Sequence, residues 1–173
     1  MRHYSGNPTA PELSAEGHGA LIVLERETGL EDTAETGVMI HGDVSADLIR
    51  TIFAPRTALH DGAVVIRGEA ILAAGVLLPL AETTVQSERI GTRHRAALGI
   101  AEQTDAIAVV VSEENGQISL VERARIVRNL NEAQLVRTIR QLMDPTHGRR
   151  RRALSAWRSP AEPASTSAVR APR

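Results

Sequence analysis

The sequence predicts an α/β fold: a mixed central β-sheet flanked by helices. Two observations carry this. Short apolar runs of strand length alternate along the chain with segments whose apolar residues recur every three or four positions. Some of the runs also come in close pairs joined by Gly-bearing dipeptides, the mark of antiparallel hairpins inside the alternation.

Taken in order, residues 1–18 hold Pro8 and Pro11 among scattered apolar positions and are expected to be a short flexible N-terminal arm, with one or two helical turns over Pro11–Glu16. Ala20–Glu25 is a continuous apolar run closed by charge, which suits a strand buried on both faces and central in its sheet. Gly37–Ile40 is a short strand. Asp43 or Ser45 caps a helix in which Leu48, Ile49, Ile52 and Phe53 share a face, and Pro55 stops it. Ala63–Arg67 and Ala70–Leu78 form a hairpin through Gly68-Glu69. Gly91–Glu102 is a turn leading into a helix with Thr92 as cap. Ala106–Ser112 and Gln117–Val121 are paired through Asn115-Gly116. Asn131–Met143 is an amphipathic helix ended by Pro145. The folded domain is expected over 19–147, and the Arg-, Pro-, Ser- and Ala-rich tail over 148–173 is expected to be disordered.

Composition excludes several chemistries. A chain of 173 residues without cysteine fits one ordinary domain and has no disulfide, thiolate metal site or cysteine nucleophile. All 20 cationic residues are arginine, so Schiff-base chemistry and a phosphate-binding lysine are absent. The aromatics are Tyr4, Phe53 and Trp157, too few to stack single-stranded nucleic acid, so any bound base must lie between aliphatic side chains. Residues 149–173 hold seven arginines and one acid, a surplus of six; with a total of −1, residues 1–148 carry −7. An acidic body makes nucleic acid an unfavoured partner. No window approaches eighteen apolar residues and the N-terminus lacks a signal-peptide core, so a cytoplasmic chain with no membrane segment is expected.

Three segments at element boundaries can carry chemistry. Asp61-Gly62-Ala63 places a carboxylate at a strand mouth with small residues that let a ligand approach, although Asp-Gly is also an ordinary turn. Thr92-Arg93-His94-Arg95 puts a hydroxyl, two guanidiniums and an imidazole at a helix start. Cations there oppose the helix dipole and are relieved by an external anion such as phosphate; the alternative is a solvated charged turn. Ser112-Glu113-Glu114 ends a strand with two acids that suit a divalent cation shared with phosphates, or simply a polar hairpin end. His18 and His41 are isolated, and Arg149–Arg152 reads as a solubilising run or a contact for nucleic acid or acidic lipid.

Together these segments bring out a resemblance. Residues 19–128, about two-thirds of the chain, closely resemble the diadenylate cyclase (DAC) domain, known by its DGA and RHR motifs, here Asp61-Gly62-Ala63 and Arg93-His94-Arg95. The flanks match as well: GALIVLERETG over 19–29, ETG over 35–37, TALHDGAVVI over 57–66, LLPL over 77–80, GTRHRAALGIAEQTDA over 91–106 and VVVSEENG over 109–116.

The resemblance implies condensation of two ATP into cyclic di-AMP and two pyrophosphates with a divalent metal, Mn²⁺ or Mg²⁺. Each protomer of a homodimer or higher oligomer binds one ATP, and each 3′-hydroxyl attacks the partner's α-phosphate face to face. Carried over by motif, Asp61 helps activate the 3′-hydroxyl, through metal. Gly62, Ala63 and Leu78 line the nucleoside pocket; Thr92, Arg93, His94, Arg95 and Ser112 hold the phosphates; His60 and Glu114 are further metal contacts beside Asp61. The family's domain usually opens with a helix of several turns before GALIV, where this chain has its short Pro-containing arm. A catalytically silent adenine-nucleotide-binding regulatory domain of the same fold is the alternative. The intact carboxylate and RHR favour the enzyme.

Overall fold

The structure, a computed structural model, describes residues 9–81, 90–123 and 125–144. Its seven-stranded sheet runs β2-β4-β3-β1-β5-β6-β7. The strands are β1 (Ala20–Leu24), β2 (Val38–Asp43), β3 (Ala63–Arg67), β4 (Ala70–Val76), β5 (Ile107–Val111), β6 (Ile118–Glu122) and β7 (Arg125–Val127). Only β1 and β3 run parallel; every other neighbouring pair is antiparallel, so the sheet is mixed. The continuous apolar run of β1 is fully buried at the middle of the sheet, as its composition requires.

Alternation along the strands makes two cores. Ile22, Leu24, Val64 and Ile66 face one side, where α1 (Ala10–Ala15), α3 (Ala46–Phe53) and α5 (Glu132–Met143) pack through Leu13, Ile49, Phe53, Leu135 and Ile139. Leu21, Val23, Val65 and Val110 face the other, covered by α2 (Glu31–Ala34) and α4 (Thr92–Gln103). Helix starts follow local chemistry. Ser45 caps α3 by accepting from the Leu48 N–H at 3.1 Å, and Asn131 and Gln134 form a reciprocal capping box on α5.

Several elements differ from the sequence expectation. Ala10–Ala15 is helical, close to the one or two turns expected over Pro11–Glu16, but its fully buried Ala10 and Leu13 anchor it on the sheet, so this part of the arm is not loose. Pro11 sits in the first turn, where its missing N–H costs nothing. Neither α2 nor β7 was expected. β4 stops at Val76, and β2 extends to Asp43 across a register shift between Met39 and Gly42, with His41 at φ 52. Thr92 is the first helical residue of α4, and Gly91 occupies the cap without a side-chain bond. Pro145, the Arg149–Arg152 run and the remaining tail lie outside the described residues. No described helix is long and apolar enough to cross a membrane.

One end of the sheet is fastened. Arg67 donates to both oxygens of Glu25 at 2.5 and 2.8 Å, Glu25 accepts from the Leu30 N–H, and Asp105 accepts from the N–H groups of Glu27 and Thr28. Burial opposes the Asp105 charge, but these backbone donors outweigh it and hold its carboxyl below the ordinary range. The other end holds the chemistry-bearing segments.

Candidate functional site

Strand register gathers the site. Ile22 lies opposite Val64 on β3 and Val109 on β5, Ala20 opposite Val111, and Ala63 opposite Val76. Gly19, Asp61-Gly62, Leu77-Leu78 and Ser112-Glu113 therefore all leave the sheet at the same end. α4 begins there too, with the Arg93 Nη1 3.1 Å from the Glu113 carboxylate.

Two glycines make room for this arrangement. Gly62 has φ +143, and a Cβ on it would lie 2.6 Å from the Gly75 carbonyl carbon, so the turn that delivers Asp61 admits only glycine. A Cβ on buried Gly19 would lie 2.8 Å from Arg93 Nη1; its absence gives the guanidinium its seat. The segment carrying Leu78 is held on α4 by the Ala81 N–H donating to the Arg95 carbonyl at 3.0 Å.

A cavity of about 460 Å³ opens at the α4 N-terminus, lined by Thr92, Arg93 and His94, by Ser112, Glu113 and Glu114 beyond β5, and by Arg128 after β7. The Ser112 hydroxyl accepts from the Glu114 N–H at 3.3 Å, shaping the hairpin end. His94 turns inward: its Nε2 lies 3.2 Å from the hydroxyl of fully buried Ser119. Burial pushes the imidazole below its ordinary range, and the positive field of Arg128 pushes the same way, so both favour the neutral, hydrogen-bonding ring.

The expected residues divide accordingly. Thr92, Arg93, His94, Ser112 and Glu114 share the cavity. His60, Asp61, Gly62, Ala63 and Leu78 do not line it; they occupy the neighbouring β3 and β4 ends across β1. Arg95 is exposed and outside the cavity, because residues two apart on a helix face different directions. Sequence reasoning missed Gly19, Ser119 and Arg128. Ser119 alone left a trace, as a polar residue inside the apolar run of β6.

Among the described residues no three His, Cys, Asp or Glu side chains gather into a metal cage, so Asp61, His60 and Glu114 do not form one. The donor chemistry at the β3 mouth nevertheless fits a hard cation shared with phosphate. Asp61 is exposed, and the His60 Nδ1 donates to the Thr57 carbonyl at 2.6 Å, leaving Nε2 with a lone pair. Mg²⁺ and Mn²⁺ commonly bind through one or two carboxylates completed by substrate phosphate and water.

A mixed α/β sheet with a carboxylate at one strand mouth and basic groups at the adjoining helix N-terminus defines a phosphate-binding domain of the nucleotide type. The chain belongs to the DAC family, described as "DisA bacterial checkpoint controller nucleotide-binding", which matches residues 8–126. It is 42% identical over 140 residues to a Listeria monocytogenes protein named diadenylate cyclase, covering 81% of this chain and 51% of that one. It is 46% identical over 117 residues to the cyclic di-AMP synthase CdaA of Bacillus subtilis, covering 68% and 43%. The chain thus spans about half the length of the curated relatives it matches. Among solved structures, a double mutant of DacA from Staphylococcus aureus is similar at a TM-score of 0.76 and 38% identity, covering 80% of this chain and 92% of that one.

Proposed function

We propose that this chain is a diadenylate cyclase, joining two ATP into cyclic di-AMP with release of two pyrophosphates. The observation that carries the reading is the placement of the Asp61 turn and the α4 N-terminus at the same end of the sheet, in a chain whose relatives bear that name. Adenosine lies over Gly62 and aliphatic Leu78, with fully buried Ala63 forming the floor beneath them. The phosphates extend to Thr92, Arg93 and Ser112, where helix N–H groups and the guanidinium favour negative charge.

Each 3′-hydroxyl attacks the α-phosphorus of the ATP held by a second protomer facing the first. A new 3′-O–P bond forms, the bond to the β-phosphate oxygen breaks, and pyrophosphate departs with its electrons. Asp61 orients the hydroxyl and takes up its proton. No protein nucleophile is needed, since phosphoryl transfer rests on positioning and charge stabilisation. A Mn²⁺ or Mg²⁺ at Asp61, with His60 or Glu114 as further contacts, would neutralise phosphate charge and acidify the hydroxyl. Arg93 binds the protomer's own nucleotide, while exposed Arg95 is available to the one across the dimer. A cytoplasmic location is part of this proposal, since ATP is its substrate.

The test is to incubate the purified chain with ATP and Mn²⁺ or Mg²⁺ and identify the product by mass. Cyclic di-AMP with two equivalents of pyrophosphate supports the reading; ATP bound but unchanged supports the silent regulator instead.

A further inference from the structure

We propose that Arg128 is a ligand of the β- and γ-phosphates of ATP, gripping the pyrophosphate that leaves. This deepens, and rests on, the nucleotide reading above.

Register places the residue. Leu120 of β6 lies opposite Val127 of β7, and Val121 opposite Ile126; Arg128 follows β7 directly, and the Leu130 N–H then donates to the Ile118 carbonyl, keeping this segment beside the Ile118–Ser119 start of β6. Paired residues in an antiparallel ladder share a face. Val121 is buried in the core beneath α4 and Ile126 packs against it; Ser119 and Arg128, two positions along each strand, fall on that same face. Ser119 touches His94 there, and Arg128 lines the cavity beside His94.

The charge balance calls for such a group. The described cations lining the cavity are Arg93 and Arg128, while Glu113 and Glu114 line it too. Arg93 lies 3.1 Å from the Glu113 carboxylate, and burial together with Arg128 disfavours a charge on His94. A triphosphate in this cavity would lie beside both arginines, and a guanidinium can grip two phosphate oxygens at once.

Position across the sheet selects the phosphates. The nucleoside groups Leu78 and Asp61 stand at the β4 and β3 ends. Arg93 sits between the β1 and β5 ends, beside Gly19 and Glu113, and Arg128 follows at the β6–β7 side. A nucleotide laid along this line reaches Arg128 with its terminal phosphates.

Calorimetric titration of the full chain and of Arg128→Ala and Arg128→Lys with ATP, AMP and adenosine, at fixed Mg²⁺, tests this. Arg128→Ala is expected to weaken ATP binding by about tenfold or more, the scale of a lost charge-assisted contact, and to leave AMP and adenosine within about twofold. Arg128→Lys should recover part of the loss. The His94 imidazole, followed by NMR, should titrate higher in Arg128→Ala. Unchanged ATP affinity in Arg128→Ala, or an equal loss for AMP and adenosine, would overturn the assignment. A wild-type chain that binds none of the three would instead overturn the nucleotide reading, and this inference with it.

Discussion

Arg93 and Glu113 close on each other at 3.1 Å beside Gly19, so a carboxylate of the protein occupies the guanidinium proposed to hold the phosphates. The carboxylate is 62% exposed, so the pair contributes little to stability and is readily exchanged for a stronger anion. Glu113→Gln should tighten ATP binding by roughly two- to fivefold, on the scale of an exposed ion pair. Titrations at low and high salt check this, since the gain should shrink as salt screens the charge. Weaker binding in Glu113→Gln would show that Glu113 helps hold the nucleotide.

Arg93→Ala should lower ATP affinity by roughly ten- to a hundredfold, because it removes a charge-assisted contact from the cavity wall. A chain ending at Gly148 should keep its turnover, since the basic tail is assigned no part in the site. ATP titration of Arg93→Ala checks the first statement, and turnover of the truncated chain checks the second. Lost activity in a folded, truncated chain would give the tail a role.

Gly62→Ala should destabilise the domain by roughly 1–3 kcal/mol, since it forces a side chain into a backbone conformation that resists one. The new Cβ also meets the Gly75 backbone, so the loop must shift and carry Asp61 with it. Urea unfolding alongside turnover should show activity falling further than the loss of folded protein explains.

His94 supplies a pH signature. Its pKa is lowered in the folded state, so the unfolded chain takes up the proton first as pH falls. The neutral imidazole is fully accommodated above the ordinary value of 6.5, and stability declines as pH drops below it toward the folded pKa. Urea midpoints across pH 5–8 (roughly the range in which imidazole titrates) should fall on the acid side in the wild type, with a flatter profile in His94→Gln. Equal slopes in the two proteins would mean that His94 does not titrate as described.

The sequence made the longer elements and the two motifs legible for physical reasons. Ala20–Leu24 is apolar at every position because the centre of the sheet covers both faces. Ile49, Ile52 and Phe53 recur at helical spacing because one face of α3 meets the core. α2 escaped because one helical turn is too short to show a period; Leu30 and Ala34 are buried by tertiary packing alone. β7 escaped because three residues pair only where β6 offers an edge. Asp61, Arg93 and Ser112 were visible as motif residues at element boundaries. Ser119 and Arg128 approach His94 through the β6–β7 register, which no local pattern in the sequence encodes. The division of Arg93 from Arg95 likewise follows from where α4 starts and how it seats on the sheet.

The most direct measurement follows product mass and specific activity for the wild type and Asp61→Asn over a wide dilution series, at saturating ATP with Mn²⁺, alongside sedimentation. In the proposed mechanism two facing protomers each supply half of the reacting pair, so the wild type should make cyclic di-AMP at a rate per protomer that rises with enzyme concentration until dimers dominate. Asp61→Asn should make none at any concentration while binding ATP within several-fold of the wild type. Full activity in a demonstrably monomeric sample, or near-normal turnover by Asp61→Asn, would contradict the account.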